Sequence, residues 1–212
     1  MSGLWMDHVI YAVDDLDAAA AVLFDREGLS SAPGGRHQGW GTANRIVPFG
    51  DSYLELITVV DVDEAEESEF GRAVRRALTE EHSLVGWVVA TDDIDGVAKR
   101  LELEVEEKSR EAEDGSTLSW RLAGLERALK TGALPFFVQW EVPPERHPGA
   151  AEVRQEADAR GIAWVEVCAD DKDEVREWLG DDGRDLPVRI TDGDPGLAAA
   201  AIETAGGEIV LR

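Results

Sequence analysis

The sequence predicts an α+β protein built of repeated βαβββ modules. The stretch DHVIYAVDDLD at 7–17 returns as VGWVVATDDID at 85–95, and more faintly as AWVEVCADDKD at 163–173. Each copy is an apolar run, an aspartate pair and the start of a helical pattern, and the aspartate pairs recur at intervals of 78 residues. A constant interval of this kind indicates a structural repeat.

The repeat divides the chain into a first module with a connecting helix at 1–84, a second module at 85–149 and a shorter, module-like unit at 150–212. The first module is predicted to contain a strand at 4–13, a helix from Asp14 or Asp15 to Gly28, a loop at 30–39 and strands at 42–49 and 52–60. Aspartate is a good helix N-cap and glycine a good helix end. Gly50-Asp51 is typical of a hairpin turn.

The linking segment 61–82 is acidic first and arginine-rich later, which suits a helix dipole. Its predicted apolar stripe is Phe70, Val74, Ala77 and Leu78. The second module is predicted to hold a strand at 84–90, a helix from Asp93, strands near 104–108 and 118–123 with a turn at Glu113-Asp114-Gly115, and a strand at 135–142.

The last third of the chain starts with a predicted helix at 150–160 that Gly161 ends. A strand from Ile162 and a helix from Asp171 follow, and then strands at 186–190, 197–203 and 208–211. The alanine-rich residues 197–202 fit a helix as well as a strand.

The amino-acid composition limits the partners and the cellular location that we expect for this protein. The chain has 45 acidic and 21 basic residues, a formal net charge of −24, which disfavours nucleic acid and anionic membranes as partners. The excess of acids, with arginine favoured over lysine, is typical of a salt-loving cytoplasm, where salt screens self-repulsion. We expect a cytoplasmic protein, because no leader or long apolar run is evident. We expect its one cysteine, Cys168, to be a small buried hydrophobe.

Three stretches carry a resemblance to a known family: HVIYAV with the following DDL, GTANRIVPFG with the following YLELI, and LPFFVQW. In this order, and within a tandem repeat, they resemble the glyoxalase-like domain proteins of the vicinal oxygen chelate superfamily, which also includes bleomycin resistance proteins and dioxygenases. The resemblance covers about residues 4–142. It implies that the modules form a curled, cup-shaped mixed sheet with helices on the outside.

The resemblance also implies a divalent metal at the floor of the cup, held by the first and last strands of each module. The first module supplies His8 and Glu55, whose nitrogen and oxygen atoms suit Zn, Mn, Ni or Fe. In the second module the corresponding positions are expected to hold Gly86 and Gln139, so two of the four ligands are missing. Glu141 replaces the carboxylate if the strand slips by two residues. The cofactor is therefore one divalent metal or none.

Strand alternation predicts the cavity wall. If His8 faces the cup, so do Ile10, Ala12, Tyr53, Ile57, Val88, Ala90, Phe137 and Glu141, while Trp87 and Trp140 fall on the opposite face and belong to the core. His82 and His147 are expected to be exposed.

Two interpretations of His8 and Glu55 stay open besides metal binding. His8 acts as a general base that Glu55 orients, or the two form a hydrogen-bonded structural pair. In the polar loop before the second strand, Asn44 suits a carbonyl and Arg45 a carboxylate, and Arg121 occupies a comparable place in the second module. For both arginines the alternative is a surface ion pair.

The function that the resemblance implies is binding of, or lyase or isomerase chemistry on, a small oxygenated or carbonyl metabolite. The catalytic candidates are His8 and Glu55, and the substrate-binding candidates are Asn44, Arg45, Tyr53, Arg121, Phe137 and Gln139. True glyoxalase I activity is disfavoured by the missing ligands. The alternatives are a non-catalytic protein that sequesters a ligand, as resistance proteins do, and a structural unit. A homodimer is compatible with exposed sheet edges.

Overall fold

The computed structural model describes residues 3–80, 82–111, 115 and 117–212. The first module comprises β1 (Leu4–Ala12), α1 (Leu16–Glu27), β2 (Ala32–His37), β3 (Thr42–Pro48) and β4 (Tyr53–Val59). The linking segment forms α2 (Val62–Glu67) and α3 (Glu69–Thr79). The second module comprises β5 (Leu84–Thr91), α4 (Ile94–Leu101), β6 (Val105–Glu111), β7 (Thr117–Ala123), α5 (Leu125–Thr131) and β8 (Phe136–Trp140).

After β8 the chain makes two 3-10 turns, Pro144–Arg146 and Pro148–Ala150. The third unit comprises β9 (Gly161–Cys168), α6 (Lys172–Leu179), a 3-10 turn (Asp181–Gly183), β10 (Val188–Thr191), β11 (Gly196–Thr204) and β12 (Gly207–Leu211). The alanine-rich segment is therefore a strand. Within the described residues, each helix is too short or too polar to span a lipid bilayer.

The repeated aspartate pairs have a structural cause. The second aspartate of each pair, Asp15, Asp93 or Asp171, accepts backbone N–H bonds as the N-cap of the helix that follows. An unpaired N–H at a helix start needs such an acceptor, so the same residue type recurs where each helix begins. Gly28 ends α1 at φ 67°, the left-handed geometry that glycine adopts at little cost.

The first two modules form one eight-stranded sheet in the order β2-β3-β4-β1-β5-β8-β7-β6. The central strands β1 and β5 are antiparallel, while β1 with β4 and β5 with β8 are parallel. The edge strands β2 and β6 contact each other, so the sheet curls into a cup. The predicted α+β architecture and cup are confirmed.

The third unit repeats only the strand–helix start. Its sheet has the order β10-β9-β11-β12, so β10, the strand that follows the helix, lies beside the first strand β9. In the two cup modules it is the last strand, β4 or β8, that lies beside the first strand, β1 or β5. Val165, Val167 and Leu197 pack with Val9 and Trp87 in the core behind the cup. The unit thus covers the outer face of the large sheet.

The inside of the cup has its own apolar cluster. Ile10, Ile57 and Val88 point inward and pack against Phe70 and Val74 of α3. The apolar stripe predicted for the linking segment is confirmed, but the helix does more than connect the modules, because it lies against the inner face of the sheet.

Three sequence predictions need correction. Residues 32–37, expected within a loop, form β2 because they pair with β3. Residues 151–160 are not helical: Glu156 and Ala157 donate their N–H groups to the Gly28 carbonyl, so these amides are not available for an internal helical ladder. Helix α5 was not predicted. Glu113 and Asp114 of the predicted turn lie outside the described residues.

Candidate functional site

A cavity lies inside the cup, with about 480 Å³ of empty space when the open solvent at its mouth is included. Its polar lining residues are His8, His37, Asn44, Tyr53, Glu55 and Arg110. Its remaining wall is apolar or aromatic and consists of Ile10, Trp40, Ile46, Phe70, Trp120, Phe136, Val138, Trp140 and Pro148. A mostly apolar concavity with a few convergent polar groups is how small-molecule sites are built.

Asp7 and His8 form the buried centre of the site. The pairing of β1 with β5 jumps from Met6 opposite Val89 to His8 opposite Val88, so Asp7 is the extra residue of a bulge. The bulge lets two consecutive side chains meet, and His8 Nδ1 lies 2.5 Å from Asp7 Oδ1. A carboxylate only accepts hydrogen bonds, so Nδ1 carries a proton and, in neutral His8, Nε2 carries the lone pair.

Asp7 is fully buried yet charged. Burial alone raises its pKa, but hydrogen bonds from His147 and His8 more than offset this and hold the pKa of Asp7 well below its usual value of 3.8. The indole Nε1 of Trp140 also donates to Oδ2, at 2.9 Å. His147 Nε2 donates to the same oxygen at 3.1 Å, and its Nδ1 accepts from Gly149 N, which fixes the neutral tautomer of His147.

Glu55 lies on the cavity side of His8. Its Oε2 is 3.7 Å from His8 Nε2 and its Oε1 is 3.8 Å from His37 Nε2. Asn44 Nδ2 donates to Oε1, and Asn44 Oδ1 accepts from Gly35 N at 2.8 Å, which fixes the orientation of the amide. One carboxylate oxygen is therefore held by the protein, and the other faces the imidazole.

Two further side chains beside His8 and Glu55, the imidazole of His37 and the phenol of Tyr53, stay neutral. His37 Nδ1 contacts Thr42 Oγ1 at 3.0 Å, and burial, only partly offset by the charge of Glu55, lowers the pKa of His37 below 6.5. Tyr53 stacks on His8 with ring centroids 4.3 Å apart. Burial raises the pKa of Tyr53 well above 10, and the Asp7 and Glu55 charges add to this, so its hydroxyl remains a donor.

Arg110 supplies a cation from the second module. It projects from the edge strand β6 into the cavity, and only 9% of its surface is exposed. Burial lowers the pKa of Arg110 below 12.5, against the attraction of Tyr53 and Glu55, and the guanidinium stays charged at neutral pH.

The structure brings four of the predicted site residues together. His8, Asn44, Tyr53 and Glu55 all line the cavity. Arg45 does not, since it points outward and binds Asp17 and Ser31.

The candidates from the second module lie elsewhere. Arg121 forms a bidentate pair with Asp95, and Phe137 packs on Trp178 in the outer core. Gln139 accepts the backbone N–H of Ile94 at the start of α4, and Glu141 is exposed. The predicted orientation of β8 was wrong by one residue: Phe136, Val138 and Trp140 face the cavity.

Sequence reasoning missed several residues that the structure places here. Trp140 and His147, expected in the core and in solvent, both bind Asp7. Trp87 does lie in the outer core, where it donates to the Ala133 carbonyl. The sequence did offer a signal for Asp7, since it is an aspartate beside His8 in an otherwise apolar strand. Strict alternation of side chains, however, assigned Asp7 to the face of the sheet opposite to His8.

The donor set does not fit a metal shared between the modules. Ile10 lies opposite Glu55, and Val88, which is 78 residues later, lies opposite Phe136. Phe136 therefore takes the place of the second carboxylate, and Gly86 that of the second histidine. Within the described residues, no group of three or more His, Cys, Asp or Glu side chains is arranged to hold a metal. The second module contributes the cation Arg110 instead.

Residues 6–182 match the family model described as a glyoxalase-like domain. No curated protein matches the chain. Among solved structures, a hypothetical protein from Staphylococcus aureus is similar over 99% of both chains, with a TM-score of 0.70 and 19% identity.

Methylmalonyl-CoA epimerases are more distantly similar. A variant of the Streptomyces coelicolor enzyme, in complex with 2-nitronate-propionyl-CoA, has a TM-score of 0.49 and 20% identity, over 65% of this chain and 97% of its own. The Mycobacterium tuberculosis enzyme has a TM-score of 0.46 and 17% identity, over 66% and 89%.

Proposed function

The chain belongs to the glyoxalase-like domain family of the vicinal oxygen chelate superfamily, and we propose that its cup binds a small carbonyl compound and transfers a proton at the carbon beside the carbonyl group. The observation that carries this proposal is the arrangement of His8. Its Nδ1 is held by Asp7, and its Nε2 faces the cavity beside Glu55.

His8 is the proposed general base. Nε2 removes the proton from the α-carbon, the C–H bonding pair moves toward the carbonyl carbon, and the carbonyl π pair becomes the lone pair of an enolate oxygen. The resulting imidazolium lies between the carboxylates of Asp7 and Glu55, which stabilise it. Return of the proton to the same carbon or to a neighbouring one completes an exchange or an isomerisation.

The enolate charge needs donors that are already in place. The hydroxyl of Tyr53 stays protonated because burial raises its pKa, and the guanidinium of Arg110 is a fixed positive charge in the same cavity. Asp7 takes the orienting role that the sequence suggested for Glu55, which instead lies on the Nε2 side of the imidazole.

Exchange in D2O tests the proposal. A panel of small 2-oxo acids, hydroxyketones and aldehydes is incubated with the protein, and loss of the α-proton signal is followed by NMR. We expect catalysed exchange with at least one class, and a fall of about 10²- to 10⁴-fold in His8→Gln. Exchange in the variant at the wild-type rate contradicts the assignment of His8.

A sequestering protein is the second candidate, and the aromatic and apolar walls of the cavity favour it. Such a protein binds its ligand without chemistry. Ligand-induced stabilisation against unfolding without α-proton exchange across the panel identifies this function.

A further inference from the structure

We propose that Arg110 is a carboxylate-binding residue, and that the ligand is a small monocarboxylate with an oxygen on the neighbouring carbon, a 2-oxo or 2-hydroxy acid. This inference rests on the proposed function, because it names the substrate class of the same cavity. Arg110 lies opposite Leu118 on β6, the edge strand that curls round to meet β2.

The guanidinium is buried, with 9% of Arg110 exposed. Among the side chains that the structure describes, no Asp or Glu oxygen lies within 4.0 Å of it. Other arginines in the modules are paired: Arg36 with Glu64, Arg45 with Asp17 and Arg121 with Asp95. A buried cation is costly unless an anion accompanies it, so a cavity-facing guanidinium favours an anionic ligand.

Glu55 does not take this place. It attracts Arg110 electrostatically, but its Oε1 accepts from Asn44, and its carboxylate points at the two histidines His8 and His37. The two charges thus face one cavity without forming an ion pair with each other. Arg110 from the second module binds the ligand, and His8 with Glu55 from the first reacts with it.

The chemistry of the cavity selects the kind of anion. A guanidinium presents parallel N–H donors that match the two oxygens of a carboxylate. A phosphate monoester fits less well, because its second negative charge would meet the carboxylates of Asp7 and Glu55 in the same low-dielectric space. With the carboxylate on Arg110, the carbon bearing the neighbouring oxygen lies in the cavity that His8 also lines.

The test compares matched ligands on matched variants. Calorimetry in high salt measures the affinity of 2-oxo and 2-hydroxy acids of about two to five carbons, such as pyruvate and lactate, and of their neutral amides. The proteins are wild type, Arg110→Gln, Arg110→Lys and Arg121→Gln, the last of which removes an arginine outside the cavity. His8→Gln is added to separate binding from proton transfer.

We expect wild type and Arg121→Gln to bind at least one acid about 10- to 100-fold more tightly than its amide, and Arg110→Gln to lose that preference. Arg110→Lys keeps the positive charge but loses the parallel N–H donors of the guanidinium, so we expect it to retain part of the preference for the acid. Equal affinity of wild type for every acid and its amide, or no binding of either, overturns the inference even if Arg110→Gln does not fold. Arg110-dependent binding without α-proton exchange in wild type contradicts the proposed function alone.

Discussion

Asp7 Oδ1 lies 2.5 Å from Nδ1 of the adjacent residue His8, at a bulge in the central strand of the cup. Neighbouring residues of a regular strand point to opposite faces, so this contact requires the extra residue. It fixes which imidazole nitrogen bears the proton and leaves Nε2 facing Glu55. The proposed proton transfer by His8 depends on this pair.

Asp7→Asn should reduce proton transfer by about 10²-fold or more, because the amide no longer stabilises the imidazolium and can donate to Nδ1, which favours the wrong tautomer. The α-proton exchange rate measures the effect. Asp17→Asn is the matched control, since Asp17 is exposed and pairs with Arg45 on the outer surface. Equal rates in the two variants would show that Asp7 does not support the base.

Acid should destabilise the protein in two stages. Burial lowers the pKa of His37 below 6.5, and hydrogen bonds from two histidines outweigh burial to lower that of Asp7 below 3.8. Both pKa values are lower in the folded state, so the unfolded chain takes up these protons first. The stability that each group contributes is present above its unfolded pKa and is lost as pH falls below it.

Denaturant unfolding from pH 8 to pH 3 measures this decline. High salt is kept constant, because protonation of many surface acids would otherwise relieve repulsion in a chain of net charge −24. We expect the decline to begin near pH 6.5, and His37→Asn to remove this first stage. A flat profile between pH 7 and pH 5 in wild type would refute the burial of a neutral His37.

Gly34→Ala should cost about 1–3 kcal/mol of unfolding free energy. A Cβ at Gly34 would lie 1.9 Å from Asn44 Oδ1 and 2.6 Å from the Asn44 carbonyl oxygen, so the amide that holds Glu55 must move. Gly196→Ala is the control, because nothing lies within 4 Å of the added methyl group. Thermal or urea unfolding measures the stability of both variants, and equal stability would count against the packing of Asn44 on Gly34.

Chelation should leave activity unchanged. Gly86 and Phe136 occupy the second-module positions, and the cation Arg110 faces the same space, so the ligand set of the superfamily is incomplete. We expect EDTA-treated protein to exchange α-protons at the untreated rate. The prediction would be wrong if metal analysis found about one divalent metal per chain, and if removing this metal abolished α-proton exchange and adding it back restored the exchange.

The sequence was informative where local rules decide the structure. The capping aspartates and the apolar runs predicted the modules, and strand alternation from His8 and Glu55 placed Ile10 and Tyr53 in the cavity. These inferences needed only the period of a strand and the chemistry of a helix start.

The features that the sequence did not predict depend on contacts between residues that lie far apart in the chain. The bulge at Asp7 and the register of β8 are set by pairing between strands, and one residue of difference in either reverses the face. Arg110 reaches the cavity only because β6 curls round to β2, and His147 only because its loop folds back over β1. Sequence spacing carries no record of such contacts.

The most direct measurement of the central pair is ¹⁵N NMR of His8. We expect neutral His8 in the wild-type protein to carry its proton on Nδ1, which lies 2.5 Å from Asp7 Oδ1, and we expect Asp7→Asn to lose this preference. A neutral His8 with its proton on Nε2 in the wild-type protein would contradict the account.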